Sequence, residues 1–361
     1  MIMRRAMRRF VLTVGATLLV LAAGGFLFAW SGLYNIAASR GHWAIVEWML
    51  RFGMTNSVEL HAVAIDPPDL HDRDLVTLGG NHYRGGCAYC HGAPGAKANP
   101  VSQAALPPPP DLSAVSDNWN DSQLFWIVKH GIKYTGMPAW VSQNRDSEVW
   151  AVVAFLKAMK TMSPDQYRAL QPAPPPSAPA VEREAIASCG GCHGIPGERP
   201  RTGLVPVLDG QKRDYLIAAL EDYANGARES GMMQPIASDL APATIGALAA
   251  YYADRPPLEP ADGISEADAE AGRALAIAGQ PEAGIPACNT CHAGDALPSY
   301  PRLAGQSASY LAAQLRFLKA GARGSSGRSA IMTSIAQRLS EPQIDAAAAF
   351  YASSMPEPAA R

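Results

Sequence analysis

Residues 87–91 read CAYCH, two cysteines three positions apart followed directly by a histidine. The same pattern recurs as CGGCH at 189–193 and as CNTCH at 288–292. The chain contains six cysteines, and all six lie in these three motifs. No thiol therefore remains for a separate disulfide, a cysteine nucleophile or a further cysteine metal ligand.

Four kinds of site compete for a CxxCH motif. A thioredoxin-like redox pair occurs once, in a βαβ context, and does not need the histidine. A structural zinc site needs paired CxxC knuckles with four ligands, and a disulfide leaves the histidine unexplained. Covalent attachment of haem c explains every residue, because the two thiols form thioethers and the adjacent histidine binds the iron. The predicted attachment residues are Cys87, Cys90, Cys189, Cys192, Cys288 and Cys291, and the predicted proximal ligands are His91, His193 and His292.

A haem that only transfers electrons needs a sixth ligand, and a methionine or histidine downstream of each motif can provide it. In the first unit, the stretch GIKYTGMPAW contains Met137, and the Gly-Met-Pro setting presents its thioether from a loop. His130 is the alternative, and we place it on a helix surface. Met159 and Met162 follow a helical pattern and are predicted to pack.

The second and third units are a duplication, and their alignment chooses between two adjacent methionines. A shift of 99 residues places Cys189 on Cys288 and Met233 on Met332. The spacing from histidine to methionine is then 40 residues in both units (233 − 193 and 332 − 292). Between these points the shift is 95, because one loop is four residues shorter and a later one four longer. We therefore predict Met233 and Met332 as ligands, with Met232 as a packing neighbour.

Each unit also has a Pro-x-Leu sequence after its histidine and ends in a helical pattern with aromatic residues. In this order the elements resemble class I cytochromes c, in three tandem copies over about residues 75–355. The last two units resemble tandem diheme cytochromes, and the first resembles the single-haem domains of oxidase and dehydrogenase cytochrome subunits. The resemblance implies that a proline carbonyl accepts a hydrogen bond from Nδ1–H of each proximal histidine. The implied prolines are Pro110, Pro206 and Pro301.

Four arginines precede an uncharged apolar run from Phe10 to Trp30. Its twenty-one residues span about 30 Å as a helix, the thickness of the hydrocarbon core of a bilayer. Arginines before the run favour a cytoplasmic N-terminus and export of the rest. The alternative is a cleaved signal peptide, whose apolar region is shorter; we predict an uncleaved anchor. Residues 42–62 are predicted to form an amphipathic helix, either at the membrane interface or packed on the first globular domain.

The predicted fold is mainly α, with an N-terminal transmembrane helix followed by three all-α class I cytochrome c domains. The predicted boundaries are 1–62 for the anchor and interfacial helix, 63–165 for domain one, 166–182 for a Pro/Ala-rich linker, 183–257 for domain two and 258–361 for domain three. The short Pro-rich connection at 255–263 favours pairing of the last two domains. The long linker leaves the first domain free to take another orientation.

The sequence predicts a membrane-anchored periplasmic triheme cytochrome that transfers single electrons in a respiratory chain. The alternative is a cytochrome subunit of a periplasmic dehydrogenase complex. A catalytic multihaem enzyme is least favoured, because each iron has a methionine available as sixth ligand and no spare cysteine exists.

The expected partners are a terminal oxidase, a bc-type complex or a periplasmic dehydrogenase, together with the lipid bilayer of the inner (cytoplasmic) membrane, crossed once. The formal net charge of −2, with no basic run outside the N-terminus, argues against a nucleic-acid partner. Four further histidines lack convergent ligands and are predicted to be structural or solvated. They are His42, His61, His71 and His82.

Overall fold

The computed structural model describes residues 2–115, 118–170, 183–260, 265–293, 297–323 and 327–356. Within these ranges the regular structure is helical, and the β pairing consists of two isolated bridges with no strand. The predicted mainly α fold is confirmed.

The chain begins with the apolar helix α1 (Ile2–Trp30). Its stretch Arg5–Trp30 is the one helix within the described residues that is long and apolar enough to cross a membrane. Every residue of that stretch is exposed, although the ring of Phe28 near its end lies 6.0 Å from that of Trp43.

The second helix, α2 (Ala44–Ala62), packs on the first globular unit through one half, which is one of the two alternatives predicted for this segment. Its C-terminal half buries Val58 and Ala62 and contacts the first globular unit. Its N-terminal half exposes Trp48 and Phe52, whose rings stack at 5.4 Å. One half therefore packs on protein, while the other half presents aromatic rings outward.

Three helical units follow. The first contains α3 (Arg73–Gly86), α4 (Ala88–His91), α5 (Pro100–Gln103), α6 (Leu112–Val115), α7 (Asp121–His130), α8 (Asp146–Met159) and α9 (Pro164–Ala169). The second contains α10 (Arg183–His193), α11 (Arg213–Ala224), α12 (Met233–Ser238) and α13 (Pro242–Ala253). The third contains α14 (Glu266–Ala278), a 3₁₀ turn (Pro281–Ala283), α15 (Asn289–His292), α16 (Ala308–Lys319), α17 (Gly327–Ala336) and α18 (Glu341–Ser353).

In the first and third units, the first and last long helices cross at a glycine. An added Cβ at Gly79 of α3 would lie 1.9 Å from the carbonyl oxygen of Ala151 in α8. An added Cβ at Gly272 of α14 would lie 2.0 Å from the carbonyl oxygen of Ala346 in α18. The two backbones approach more closely than any side chain would permit, so these crossings require glycine.

Each unit has its own apolar core. The largest fully buried side chains are Tyr83 and Phe155 in the first unit, Ile186 in the second, and Ile285 and Ile344 in the third. Met159 and Met162 pack in the first core, as predicted. We propose that these cores define the three domains. Tyr167 also packs in the first core, so we extend that domain to residue 170 and place the linker at 171–182, which lies outside the described residues.

The first unit docks against the other two units, a contact that the long linker did not predict. Asp74 accepts a hydrogen bond from the backbone N–H of Gly203 at 2.9 Å. The guanidinium of Arg145 lies over the ring of Phe317 at 4.0 Å. These contacts join residues more than 100 positions apart, and the length of a linker carries no information about them.

Candidate functional site

The three CxxCH motifs each close a helical turn that ends at the histidine. In the first, the backbone N–H of His91 donates to the carbonyl of Cys87 at 3.0 Å. In the third, His292 donates to Cys288 at the same distance. An i to i−4 bond places the first cysteine and the histidine on one face of the turn. The motif thus presents a thiol and an imidazole to the same side.

Each proximal histidine forms a hydrogen bond with a proline carbonyl. The distances from Nδ1 to the carbonyl oxygen are 2.8 Å for His91 and Pro110, 2.9 Å for His193 and Pro206, and 3.1 Å for His292 and Pro301. Because a carbonyl can only accept, Nδ1 carries the proton, and Nε2 keeps its lone pair. The implied role of the three prolines is confirmed, and each imidazole has the tautomer of a metal ligand.

An apolar cavity lies beside the third motif, with an empty volume of about 1130 Å³ that includes its opening to solvent. Cys288, His292 and Met332 line the same cavity. Leu275, Ile285, Leu311, Leu339 and Tyr351 provide much of its apolar wall.

The imidazole of His292 is placed to bind a metal. Its Nε2 is buried and has no hydrogen-bond partner among the described residues. Burial lowers the pKa of His292, and the bond to Pro301 opposes this only in part, so the ring is neutral at pH 7. A neutral ring with an unpaired, buried nitrogen facing apolar surroundings fits iron ligation.

Two arginines lie at the side of this cavity that adjoins the second unit. Arg228 is 4% exposed and donates to the hydroxyls of Tyr215 (3.4 Å) and Tyr310 (3.3 Å). Arg323 donates to Tyr215 at 3.4 Å. A buried cation is costly unless polar or anionic groups surround it, and the hydroxyls that Arg228 contacts are neutral. An apolar cavity bordered by two cations suits a macrocycle that carries carboxylate groups, so the residues fit haem.

Two glutamines join the second and third units reciprocally. Gln306 accepts from the backbone N–H of Val207 at 2.9 Å and donates to its carbonyl at 2.7 Å. Gln211 accepts from the N–H of Arg302 at 2.8 Å and donates to its carbonyl at 3.0 Å. Val207 and Arg302 each directly follow the proline that holds a proximal histidine. The second and third units thus bind each other beside their proximal histidines, and we call these contacts the glutamine clamps.

The predicted methionines occupy different settings. Met137 is half-buried in the loop between α7 and α8, and its N–H donates to Thr135 Oγ1 at 3.1 Å. Met233 begins α12, and Met332 lies in α17. The structure brings Met332 and its proximal histidine to one cavity. The ligand roles of all three methionines stay predictions.

The other histidines lie apart from the motifs. His82 is largely buried with its ring 4.7 Å from that of Trp140, and burial lowers its pKa to about 4. His130 is exposed at the end of α7, where its ring contacts Trp126 at 5.2 Å. His61 and His71 are exposed, and His42 lies 2.6 Å from a tyrosine hydroxyl. Within the described ranges, no three His, Cys, Asp or Glu side chains form a cluster suited to a metal ion.

Comparison with known proteins gives the family. The family model described as cytochrome c oxidase, cbb3-type, subunit III matches residues 74–156. The thiosulfate dehydrogenase electron acceptor of Thiomonas intermedia (strain K12) is 36% identical over 202 residues, 55% of this chain and 92% of that protein. The chain belongs to the cytochrome c family. Cytochrome c4 of Pseudomonas aeruginosa is 34% identical to this cytochrome over 176 residues, 47% of this chain and 86% of that one.

Among solved structures, reduced recombinant cytochrome c4 from Pseudomonas stutzeri is similar to this cytochrome at 29% identity with a TM-score of 0.45. The match covers 48% of this chain and 97% of that one. As a member of the family, the protein carries three covalently bound haem c groups at its three CxxCH motifs and functions in electron transfer.

Proposed function

We propose that this cytochrome is a membrane-anchored triheme relay on the periplasmic side of the inner membrane. It passes single electrons from a periplasmic dehydrogenase to a respiratory acceptor. The observation that carries the proposal is the third-unit cavity, where the unpaired Nε2 of His292 and the side chain of Met332 line one space. When bound there, haem supplies one-electron iron chemistry.

The protein residues hold and orient the irons. The proposed ligand pairs are His91 with Met137, His193 with Met233, and His292 with Met332. The proline carbonyls fix each imidazole through Nδ1, which also makes the ring a stronger donor at Nε2. A histidine and a methionine together leave no open position for a substrate. The chain by itself is therefore an electron carrier and not an enzyme in this proposal.

A dehydrogenase is the proposed electron donor. The Thiomonas relative is named as the electron acceptor of thiosulfate dehydrogenase, which supports a donor of that class. The proposed acceptor is a terminal oxidase or a bc-type complex. In this arrangement the cytochrome acts either as a separate carrier or as a subunit of the dehydrogenase complex.

Stopped-flow mixing of the oxidised holoprotein with a reduced thiosulfate dehydrogenase tests the donor. We expect reduction of all three haems, with a pyridine haemochrome assay giving three haems per chain. A control mixture with thiosulfate alone should leave the haems oxidised. Reduction by thiosulfate alone would contradict the carrier role, and no reduction by the enzyme would exclude a donor of this class.

The first two helices are the proposed membrane attachment. The apolar stretch of α1 is bare, and the exposed aromatic rings of Trp43, Trp48 and Phe52 on and beside α2 suit the headgroup region. We propose that α1 stays uncleaved and crosses the inner membrane once.

Fractionation of cells tests the anchor. The full-length protein should remain with the membranes after a high-salt wash, and a variant that lacks residues 1–62 but has a cleavable export signal should be a soluble red protein. N-terminal sequencing of the membrane form should begin at the first helix. A mature N-terminus beyond Trp30 would show that the segment is a signal peptide.

A further inference from the structure

The first unit touches the second at the segment that carries its methionines. Glu148 lies in the first turn of α8, and its Oε1 accepts a hydrogen bond from Ser230 Oγ at 2.6 Å. Its Oε2 accepts from the backbone N–H of Gly231 at 2.7 Å and from Trp140 Nε1 at 3.3 Å. One carboxylate of the first unit therefore receives three hydrogen bonds, two of them from the second unit.

Ser230 passes this contact on to the backbone of the proposed ligand. Its hydroxyl, which donates to Glu148, accepts from the N–H of Met233 at 3.0 Å and from that of Met232 at 3.2 Å. Ser230 is 3% exposed, so water does not compete for these bonds. The carboxylate of Glu148 is thus two hydrogen bonds away from the backbone of Met233.

Close packing and flanking bonds hold the two segments together. A Cβ on Gly231 would lie 2.0 Å from Trp140 Nε1, so the contact requires glycine there. The preceding residue, Glu229, accepts from Ser142 Oγ at 3.1 Å through its carboxylate and from Arg145 Nε at 2.9 Å through its carbonyl. Ser142 and Arg145 are both buried. The first unit therefore binds residues 229–231, which lead directly into the two methionines of the second unit.

We propose that Glu148 is a positioning residue for the second haem: it fixes the segment that presents Met233, so that axial ligation in the second unit depends on docking of the first. A carboxylate at a helix N-terminus is a strong acceptor for such bonds. Glutamine has the same shape but would direct an NH₂ group at one set of these donors. The inference rests on the proposed role of Met233 as ligand.

Titration of the oxidised holoprotein with imidazole tests the inference. Imidazole competes with methionine for ferric iron, and each displaced methionine removes about one third of the far-red charge-transfer band of methionine-ligated haem. Glu148→Gln should lose one of these thirds at an imidazole concentration about tenfold or more lower, the change expected when hydrogen bonds to a charged acceptor are lost. Ser230→Ala breaks the same relay from the second unit and should shift the same step.

Asp146→Asn is the matched control, because Asp146 lies on the same helix and pairs with Lys129 of its own unit. It removes the same charge and should titrate like the wild type. An equal shift with Asp146→Asn would assign the effect to charge alone and overturn the proposal.

Met233→Ala distinguishes the ligand role of Met233 from the positioning role of Glu148. If Met233→Ala keeps the whole band, the ligand assignment itself is wrong. If it removes one third, while Glu148→Gln and Ser230→Ala titrate like the wild type, the ligand stands and the role of Glu148 is refuted. In the Met233→Ala background, Glu148→Gln should leave the two remaining steps unchanged. A shift of those steps would indicate general loosening and would also refute the proposal.

Discussion

Replacing Gln306 with alanine should lower the free energy of unfolding and should also affect the haem of the second unit. The side chain is 7% exposed and bonds both backbone groups of Val207, at 2.9 Å and 2.7 Å. Alanine leaves a buried N–H and a buried carbonyl without partners, each costing about 1–3 kcal/mol. The two together predict a loss of about 2–6 kcal/mol in the free energy of unfolding.

The loss should appear at the second haem as well as in stability. Val207 follows Pro206, whose carbonyl holds the imidazole of His193. Release of the clamp from the third unit therefore loosens the proximal side of the second. Guanidinium unfolding of the holoprotein, followed by circular dichroism and by haem absorbance, measures the stability, and redox titration measures the haem potentials. We expect a lower midpoint of unfolding and a changed potential for one haem.

Gln337→Ala is the control, because Gln337 is an exposed glutamine of the same unit. It should change the free energy of unfolding by no more than about 0.5 kcal/mol. Gln211→Ala removes the reciprocal clamp and should destabilise by an amount similar to that of Gln306→Ala. Equal midpoints for the variants at 306 and 337 would refute the reasoning.

Gly79→Ala should destabilise the first unit by about 1–3 kcal/mol, because the helix crossing has no room for a Cβ. Gly85→Ala, with nothing within 4 Å of its Cβ, is the control, and equal denaturation midpoints would contradict this account. For His82, the folded pKa of about 4 lies below the reference value of 6.5, so its contribution is complete above pH 6.5 and is lost as pH falls toward 4. The full loss is about 3 kcal/mol. His82→Gln should flatten this part of the stability profile, and an unchanged profile would show that another group titrates. Alanine at each proposed methionine ligand should remove about one third of the far-red band, whereas Met232→Ala should keep it. A loss with Met232→Ala would show that the repeat alignment is off by one.

Local patterns in the sequence predicted much of the fold correctly. The helical patterns that end the first and third units, α8 and α18, were readable because helical periodicity involves residues three or four positions apart. The attachment motif is likewise contiguous, since one haem must reach two thiols and an imidazole on a single turn. The prolines that hold the histidines were accessible only through resemblance to a family.

The duplication aligns two pairs of polar residues whose role in joining the units was not predicted from the sequence. Gln211 aligns with Gln306, and Arg228 aligns with Arg323, at the same shift of 95 residues. The structure shows that the aligned glutamines bind the backbone of the opposite unit. A repeat reveals that two residues are equivalent, but it does not reveal that each one contacts the other copy.

The chemistry of this protein is therefore determined locally, and the coupling between its units is determined by the tertiary structure. Haem attachment depends on two cysteines and a histidine within five consecutive residues, and residues so close in sequence are also close in space in any fold. The docking of Glu148 on Ser230 joins positions 82 residues apart and depends on which faces remain free after each core has formed. Since the length and composition of a linker do not select among those faces, only the packed molecule places the first unit against the methionine segment of the second.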